Sequence, residues 1–449
     1  MLLDLLMLVT RFTKSCLVFS LVAACLGGRC YSAGIPSDWN EWRGATGNGS
    51  SLDAKPPTTW SESKNIAWKV ALPGKGHATP IISNGRVYIS SAIPVGPKKS
   101  PIFNPAPGAH DNFPVDQEHR FVVAAIDVAS GKTIWETEVA RTLPHEGGHY
   151  TASLASHSPL TDGTLVFACF GSRGLHALDL SGNLVWKQEF GHMETRHAHG
   201  EGSSPALKEG ILVVNWDHEK QSFIAAYDAR SGRELWRSNR NEMTSWSTPL
   251  IVSHQGSHQV IVSATERVRS YELRTGQLIW ECSGLARNVV ASPVHHEGVV
   301  IVGNSYDKQA MMAIRLEGAK GDISGSGNVL WSSTRMTPYV PSPLMYKGVL
   351  YFLRHNQAVL SCLNPMTGET LRGPFRLGGL REIFASPVAA DDRVYIVGKG
   401  GATLVFSHEA EPRVLALNKL EDRFSASPAL VGDALFLRGE SFLYCIKEE

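Results

Sequence analysis

The sequence of 449 residues has no excess of charge of either sign, because 43 Lys and Arg residues stand against 42 Asp and Glu residues. It contains no basic patch of the kind that neutralises phosphates, and no charged tail. After the first 25 residues it also contains no apolar run long enough for a transmembrane helix. We therefore expect no nucleic-acid partner, and a mature chain that is either soluble or tethered by its first residue.

Cysteines are few and poorly placed for disulfides. Two of the seven lie within the first 25 residues, and no CxxC motif or adjacent pair occurs. Cys169, Cys282, Cys362 and Cys445 each lie in or beside an apolar run, which favours a role as small buried residues. This spacing argues against a disulfide framework, a dithiol redox motif and a thiolate zinc site.

The N-terminus has the pattern of an export signal. Two basic residues precede an apolar stretch from Cys16 to Ala24, which is too short to span a bilayer comfortably. The residues Val-Ala-Ala-Cys at 22–25 resemble a bacterial lipobox, in which the cysteine is lipidated after cleavage. We predict that residues 1–24 are a signal peptide and that Cys25 is lipidated, with ordinary cleavage nearby as the alternative. The protein would then be exported to the periplasm or cell envelope, with or without a lipid anchor.

An internal repeat is the strongest pattern in the chain. A Ser/Thr-Pro or Ser-x-Pro opening is followed by two apolar runs around a tight turn, as in "SPALKEGILVVNW". A third run ends in Ser-Gly or Thr-Gly, and a fourth carries a tryptophan. Four short strands without a helical period are typical of a propeller blade. The chain is therefore predicted to be an all-β, eight-bladed propeller of four-stranded antiparallel blades, with opening prolines at 80, 159, 205, 249, 293, 343, 387 and 428.

Two columns of residues support this register. Tryptophan stands on the fourth strand at 135, 186, 236, 280 and 331, and blades six and seven replace it near Arg372 and Leu415. A small residue stands on the third strand of every blade except blade seven, which has Val405. We interpret each tryptophan as a flat ring that covers a small position and stabilises a junction between blades. The small column comprises Ala125, Ala177, Ala226, Ser270, Ala313, Cys362 and Cys445.

The last repeat contains only three strands. The missing tryptophan strand occurs near the start of the chain, in "NIAWKVALP" with Trp68. We predict that this strand completes blade eight and closes the ring, which removes the free edges of an open sheet. Residues 60–449 would then form one propeller domain, preceded by an N-terminal extension at 25–59.

The repeats "AIDVASGKTIW", "AYDARSGRELW" and "SYELRTGQLIW" resemble the tryptophan-docking repeats of the pyrroloquinoline quinone (PQQ)-like propellers. The resemblance covers nearly all of the mature chain. It is greatest to the secreted PQQ-like repeat proteins of planctomycete-type bacteria. The chain is more distantly similar to the propeller lipoprotein of the bacterial outer-membrane barrel-assembly machinery. One propeller fold hosts many activities, so the resemblance predicts the fold more strongly than the function.

The resemblance leaves two functions open. The first is an envelope-associated, non-catalytic scaffold, present as a monomer, that binds an envelope protein, a peptide or a small anionic ligand. The alternative is a periplasmic oxidoreductase that depends on PQQ or a metal. The quinoprotein dehydrogenases are implied to hold PQQ against a disulfide of adjacent cysteines, and Ca²⁺ through Glu and Asn beside an Asp base. The sequence has no adjacent cysteines, which favours the scaffold.

Loop lengths predict which face of the propeller carries function. The turns between strands one and two are uniformly tight, whereas the long segments join strands two and three or successive blades. Long loops on a rigid scaffold are where binding sites are built. We expect the site on this long-loop face, with the insert at 91–119 folded over it as a cover and the loops at 141–156 and 187–203 beside it.

Seven of the seventeen histidines fall between 145 and 199. Imidazoles with nearby carboxylates suit Zn²⁺ or Cu²⁺, so His145, His149, His197 and His199 are candidate metal ligands. The alternative is that they are polar loop residues hydrogen-bonded to one another. The predicted ligand- or partner-binding residues are His77, Arg196, His197, His199, Glu201, Trp216, Asp217, His218, Trp246, Asn288 and Tyr339.

Arginines recur upstream of several openings. If they point inward they form a basic ring for an anionic ligand or an extended peptide. The alternative is that each pairs with a neighbouring carboxylate or carbonyl oxygen. These arginines are at positions 196, 287, 335, 381 and 423.

Overall fold

A computed structural model of the chain describes residues 38–103, 106–409 and 411–448. They belong to a compact unit that begins at Pro36. The predicted signal peptide and the predicted lipidation site at Cys25 lie outside the described residues. Within them, no helix is long and apolar enough to cross a membrane.

Eight four-stranded antiparallel sheets follow one another along the chain, as the repeat predicts. β-branched and aromatic residues form the strands, and glycines with positive φ form many of the turns between them. Blades one to four contain β2 (Ile81–Ser83), β3 (Arg86–Val95), β5 (Glu118–Asp127) and β6 (Thr133–Thr142); β8 (Leu160–Thr161), β9 (Leu165–Cys169), β10 (Leu175–Asp179) and β11 (Leu184–Gln188); β12 (Ala206–Lys208), β13 (Ile211–Trp216), β14 (Ser222–Asp228) and β15 (Glu234–Arg240); β16 (Leu250–His254), β17 (Ser257–Val262), β18 (Val268–Glu272) and β19 (Leu278–Cys282).

The second half of the ring repeats the same order. Its blades contain β20 (Val294–His296), β21 (Val299–Asn304), β22 (Ala310–Arg315) and β24 (Val329–Ser333); β25 (Leu344–Tyr346), β26 (Val349–Leu353), β27 (Val359–Leu363) and β28 (Thr370–Arg376); β29 (Val388–Ala390), β30 (Arg393–Val397), β31 (Ala402–Ser407) and β32 (Val414–Lys419); β33 (Ala429–Val431), β34 (Ala434–Arg438), β35 (Phe442–Lys447) and β1 (Ile66–Ala71). Three further short strands are β4 (Asn112–Phe113), β7 (Gly148–His149) and β23 (Gly321–Asp322), and two 3-10 turns lie at Gly171–Arg173 and Arg196–Ala198.

The ring closes through the N-terminal strand, which confirms the prediction. β1 pairs antiparallel with β35, and the sheet order is β1-β35-β34-β33. Trp68 lies opposite Cys445, so it occupies the tryptophan column of blade eight. Blade eight therefore also has four strands, although one of them comes from the opposite end of the domain.

The tryptophans dock differently from the sequence interpretation. Each one lies opposite the small residue of its own blade, as Trp186 lies opposite Ala177. Its ring instead covers a glycine in the turn between the third and fourth strands of the next blade, as Trp186 covers Gly232. The indole N–H also donates to a carbonyl oxygen of that blade, here Ala229 at 3.0 Å. Because a methyl group at Gly232 would lie 2.6 Å from the ring, only glycine admits this contact.

Blades four, six and seven depart from the docking pattern. Trp280 bonds to Gln259 of its own blade, and β23 pairs beside it as a fifth strand. In blade six Arg372 takes the tryptophan position. In blade seven Ala416, rather than the predicted Leu415, lies opposite Val405. The large and small partners are therefore exchanged in blade seven, which accounts for the unusual valine in the small column.

Residues 39–55, here called the N-terminal clasp, contact the eight blades in chain order on the short-turn face. Trp39 pairs with Ile82 of blade one, and Asn40 accepts from Thr161 of blade two. The last contact is the bond from the Lys55 N–H to Gly432 of blade eight. Between these ends the clasp meets Leu207, Leu250, His295, Met345 and Ala389 of blades three to seven.

Candidate functional site

A cavity of about 370 Å³ lies where the blade openings converge on the long-loop face. Its volume is in the range of small-molecule sites. All eight blades or their connecting loops contribute lining residues, so the cavity lies on the axis of the ring. Of the predicted binding residues, it brings together His77, His199, Glu201, Trp246 and Tyr339.

A ring of hydroxyl groups surrounds the base of this cavity. In seven of the eight Ser-Pro or Thr-Pro openings, the backbone N–H of the Ser or Thr donates to the hydroxyl oxygen of the matching residue in the next blade, at 2.9 to 3.1 Å. The ring is open at one place, because the hydroxyl of Thr79 has no partner among the described residues. Sequence reasoning used these openings as repeat markers and missed this role. The hydroxyl ring consists of Thr79, Ser158, Ser204, Thr248, Ser292, Ser342, Ser386 and Ser427.

The N-terminal clasp closes the cavity from below. Trp42 lines the cavity floor, and the guanidinium of Arg43 lies beneath it, 5.9 Å from the indole ring centre. Arg43 is buried and donates to the carbonyl oxygens of Pro343 at 2.7 Å and Pro387 at 2.8 Å. Burial without a carboxylate lowers the pKa of Arg43 to about 9. The cavity therefore opens toward the long-loop face.

Aromatic side chains form the walls. Tyr306 and Tyr339 stack with ring centres 5.5 Å apart, and Tyr339 stacks on His355 at 4.5 Å. Trp246 is fixed by its indole N–H, which donates to Gly200 at 2.6 Å. Tyr150 is 61% exposed at the rim, so this wall presents open aromatic surface.

The insert of blade one folds over the site, as predicted. Its described residues between β3 and β5, 96–103 and 106–117, are called the cap. β4 in the cap pairs with β7 in the loop before blade two. The side chain of Asn112 donates to the carbonyl oxygens of His197 and Ala198, at 2.9 and 2.7 Å. Because His197 and Ala198 both have positive φ, the loop before blade three turns sharply to receive the cap.

Four imidazoles meet where the cap docks. The ring centre of His110 lies 5.3 Å from that of His197 and 4.8 Å from that of His199, and His149 lies 4.9 Å from His199. His145 is separate and stacks on His192 at 4.4 Å. Among the described residues, no group of three or more His, Cys, Asp or Glu side chains could hold a metal ion. These imidazoles instead pack against one another, with His110 edge-on to His197 and His199.

The buried histidines around the cavity are poor bases. Desolvation, together with the charges of Arg438, Lys75 and Lys399, lowers the pKa of His77 to about 3. Desolvation and the neighbouring imidazoles lower the pKa of His199 to about 4. Desolvation also lowers the pKa of His149. These rings are therefore neutral near pH 7 and act as hydrogen-bonding groups rather than as charges.

Two carboxylates near the site are engaged in holding loops. Glu201 accepts from Arg173 at 3.0 Å and from the hydroxyl of Ser172 at 2.8 Å, which ties the loop before blade three to blade two. Glu146 is buried and accepts from the N–H and hydroxyl of Thr195. Burial raises the pKa of Glu146 to about 7. The first pair anchors a cavity wall, and the second joins the two histidine-rich loops.

The predicted trio at the end of β13 lies outside the cavity. Trp216 is 2% exposed and packs against Phe190 and Phe223. Asp217 forms a buried ion pair with Arg240 at 2.7 Å. The ring nitrogen Nδ1 of His218 accepts from the backbone N–H of Glu194 at 3.2 Å. These three side chains therefore contact neighbouring loops and blades and are not among the residues that line the cavity.

The predicted arginine ring is also absent from the cavity. Among the described lining residues, none is a lysine or an arginine. Arg196 instead contacts the ring of its neighbour His197 at 3.2 Å. Asn288 is buried, with positive φ, and lies behind Tyr339 rather than in the lining.

Comparison with known proteins finds a matching family and several distant relatives. The family described as outer membrane protein assembly factor BamB matches residues 119–372 and 220–449. The assembly factor BamB of Bordetella pertussis is 25% identical over 341 residues, which cover 70% of this chain and 82% of that protein. The tetrathionate hydrolase of Acidithiobacillus ferrooxidans is 23% identical over 257 residues, covering 53% of this chain. The aligned region spans only 43% of the hydrolase.

A solved structure shares the architecture. The quinohemoprotein alcohol dehydrogenase of Comamonas testosteroni superposes with a TM-score of 0.63 at 11% identity. The match covers 93% of this chain and 82% of the dehydrogenase. At this identity the likeness shows the fold alone.

Proposed function

We propose that this chain, which belongs to the family of the outer membrane protein assembly factor BamB, is an exported, envelope-associated binding and assembly scaffold. Its relatives are named as outer membrane protein assembly factors, which motivates the envelope location and a protein partner. The proposal rests on one observation, the capped axial cavity on the long-loop face. The short-turn face is occupied by the N-terminal clasp, so the long-loop face carries the open cavity.

The arrangement suits binding more than chemistry. The charged groups near the cavity hold the walls in place, as Glu201 does through Arg173. Desolvation lowers the pKa of His77, His149 and His199, which keeps these rings neutral at pH 7. His149 is also bonded at 2.6 Å to Thr151 two residues later, which fixes a turn. A rigid rim with open aromatic surface and neutral polar groups is typical of recognition sites.

Capture of partners from envelope extracts tests the proposal. The bait is the full exported chain, compared with Tyr150→Asp at the cavity rim and with Val414→Asp on the outer edge of blade seven. The two wild-type side chains are similarly open, at 61% and 66% exposed. We expect a reproducible partner that is lost with Tyr150→Asp and kept with Val414→Asp. Equal loss with both variants, or no reproducible partner, would contradict the proposal.

The oxidoreductase is the second candidate, and its axial, aromatic-lined cavity is the observation that favours it. The residues do not match the donor set implied by the quinoprotein resemblance. Glu201 is already engaged by Arg173 and Ser172. The four described cysteines are buried and free, and none lines the cavity. Dye-linked dehydrogenase activity that appears on adding PQQ and Ca²⁺ to the purified chain would reverse this ranking.

A further inference from the structure

The chemistry of the cavity narrows the class of ligand that a binding role would involve. The described lining contains no lysine or arginine, and Lys399, which lies beside the lining rings of Tyr150 and Phe384, is already paired with Glu382. The two carboxylates of the lining are paired, Glu201 with Arg173 at 3.0 Å and Glu382 with Lys399 at 3.4 Å. A cation would therefore also lack a free counter-charge. A charged ligand would lose its hydration here without gaining a free partner of opposite charge, so the lining favours a neutral ligand.

The base of the cavity offers hydroxyl groups that can still donate. Six hydroxyls of the ring line the cavity, and each accepts a hydrogen bond from a backbone N–H of the neighbouring blade. Within the described residues, none of these six hydroxyls donates to a protein acceptor. A hydroxyl has one hydrogen and two lone pairs, so each can still donate to a ligand and accept from it. These lining hydroxyls belong to Ser158, Ser204, Thr248, Ser342, Ser386 and Ser427.

The walls add flat apolar surfaces above these hydroxyls. Tyr306 is 44% exposed beside Tyr339, and Trp246 stands in another part of the wall. An aromatic face is electron-rich and attracts polarised C–H groups as well as apolar surface. The cavity thus combines aromatic platforms with neutral groups that donate and accept.

We infer that the cavity binds a neutral saccharide, with the sugar ring against Trp246 or Tyr306 and its hydroxyls on the hydroxyl ring. A sugar has apolar C–H faces and a rim of hydroxyls that both donate and accept, which complements this lining. Charged ligands and wholly apolar ligands each match only half of it. The inference deepens the proposed binding function and rests on it.

Binding to a glycan array tests the inference. The full exported chain is applied to an array of neutral, sulfated and phosphorylated glycans. Binding of the best neutral glycan in soluble form, and of inorganic phosphate, is then measured by calorimetry. We expect selective binding of a neutral glycan. Trp246→Ala and Tyr306→Ala should each weaken it at least tenfold, whereas Phe375→Ala, which removes an exposed aromatic ring of blade six, should leave it unchanged.

Ser342→Ala and Ser386→Ala extend the test to the hydroxyl ring. Each should weaken glycan binding, and circular dichroism would show whether the fold is kept. Binding limited to charged glycans or phosphate would overturn the inference, as would no binding to any neutral glycan or equal binding by Tyr306→Ala. If glycans fail while a partner captured from envelope extracts still depends on Tyr150, the binding function stands and only the ligand class is wrong.

Discussion

The indole N–H of Trp68 donates a hydrogen bond of 2.8 Å to the carbonyl oxygen of Val128, 60 residues later in the chain. The ring of Trp68 also covers Gly131, which lies in blade one with Val128. The contact joins blade eight to blade one and repeats the geometry at the internal junctions, such as that of Trp186 with Ala229. The closing junction is therefore chemically equivalent to the junctions formed within continuous chain.

Replacing the closing tryptophan should destabilise the ring. Trp68→Ala removes a buried aromatic ring and is expected to lower the free energy of unfolding by about 3–5 kcal/mol. Urea unfolding followed by tryptophan fluorescence measures it, with Trp186→Ala as the internal control of similar size. Deletion of residues 60–72 should in addition abolish the single cooperative transition, because blade eight then exposes an edge. A deletion variant that unfolds like the intact chain would contradict closure by β1.

The glycine beneath Trp68 allows a second test of docking. Gly131 and Gly210 both have positive φ, at +69° and +73°, so alanine is strained at both. Only at Gly131 would the added methyl meet Trp68, at 2.8 Å, whereas nothing lies within 4 Å at Gly210. We expect Gly131→Ala to lower the free energy of unfolding by about 1–3 kcal/mol more than Gly210→Ala does, because the added methyl group overpacks the contact with the ring. Equal losses in urea unfolding would mean that the tryptophan does not need this glycine.

The buried pair behind Trp216 should govern stability and not binding. Asp217→Ala leaves the buried Arg240 with Tyr271 as its remaining side-chain hydrogen-bond partner among the described residues, so we expect the free energy of unfolding to fall by about 3–5 kcal/mol. The double variant Asp217→Leu with Arg240→Met should recover much of this loss, because neither charge of the pair remains buried. Thermal unfolding of the three proteins measures the effect. If the double variant folds but no longer binds the partner, Asp217 takes part in binding after all.

The clasp should depend on the shape of arginine as well as on its charge. Arg43 bonds two carbonyl oxygens from different blades, which a planar guanidinium can reach and an ammonium group cannot. Arg43→Lys is expected to lower the free energy of unfolding by about 1–3 kcal/mol, whereas Arg413→Lys, at an exposed position, should cause no measurable change. Chemical unfolding gives the difference. A neutral result for Arg43→Lys would show that the clasp does not support the ring.

The cap should loosen at acidic pH. The pKa of His199, about 4, lies below the ordinary value of 6.5, because of burial and the rings of His149, His110 and His197. The folded cap is therefore most stable above about pH 6.5, where His199 is neutral in both the folded and the unfolded chain. This stability is lost as the pH falls toward 4, because the unfolded chain then binds a proton more readily than the folded one. Asp111 opposes this by favouring charged His149, whereas Lys399 lowers the pKa of His149 further. The sensitive range thus lies below neutrality rather than around it.

Hydrogen-exchange protection of residues 106–113 measures this loosening between pH 7 and pH 4.5, after correction for intrinsic exchange. The matched variant His199→Phe keeps a ring of similar shape that cannot be protonated, so its protection should depend less on pH. The same dependence in both proteins would place the titrating group elsewhere.

Local patterns were sufficient to predict the architecture. Blade number, strand order and closure follow from alternating apolar residues, tight turns and a repeated opening, and blades two to seven are each specified within 41 to 50 residues, the spacing of their opening prolines. The closure by β1 could be predicted because the tryptophan strand was missing at one end and present at the other. The cover over the long-loop face could be predicted from the length of the insert alone.

Contacts between blades were decided only by the tertiary structure. The sequence shows that Trp216, Asp217 and His218 end a strand, but only the packed ring shows that they contact Phe190, Arg240 and Glu194 instead of lining the cavity. The serines of the openings are visible as repeat markers, yet their bonding around the axis requires the closed ring. Arg43 reaches Pro387 across 344 residues, a separation that no repeat spacing encodes. Burial then lowers the pKa of His77, His149 and His199, because desolvation depends on what surrounds a side chain and not on its position in the chain.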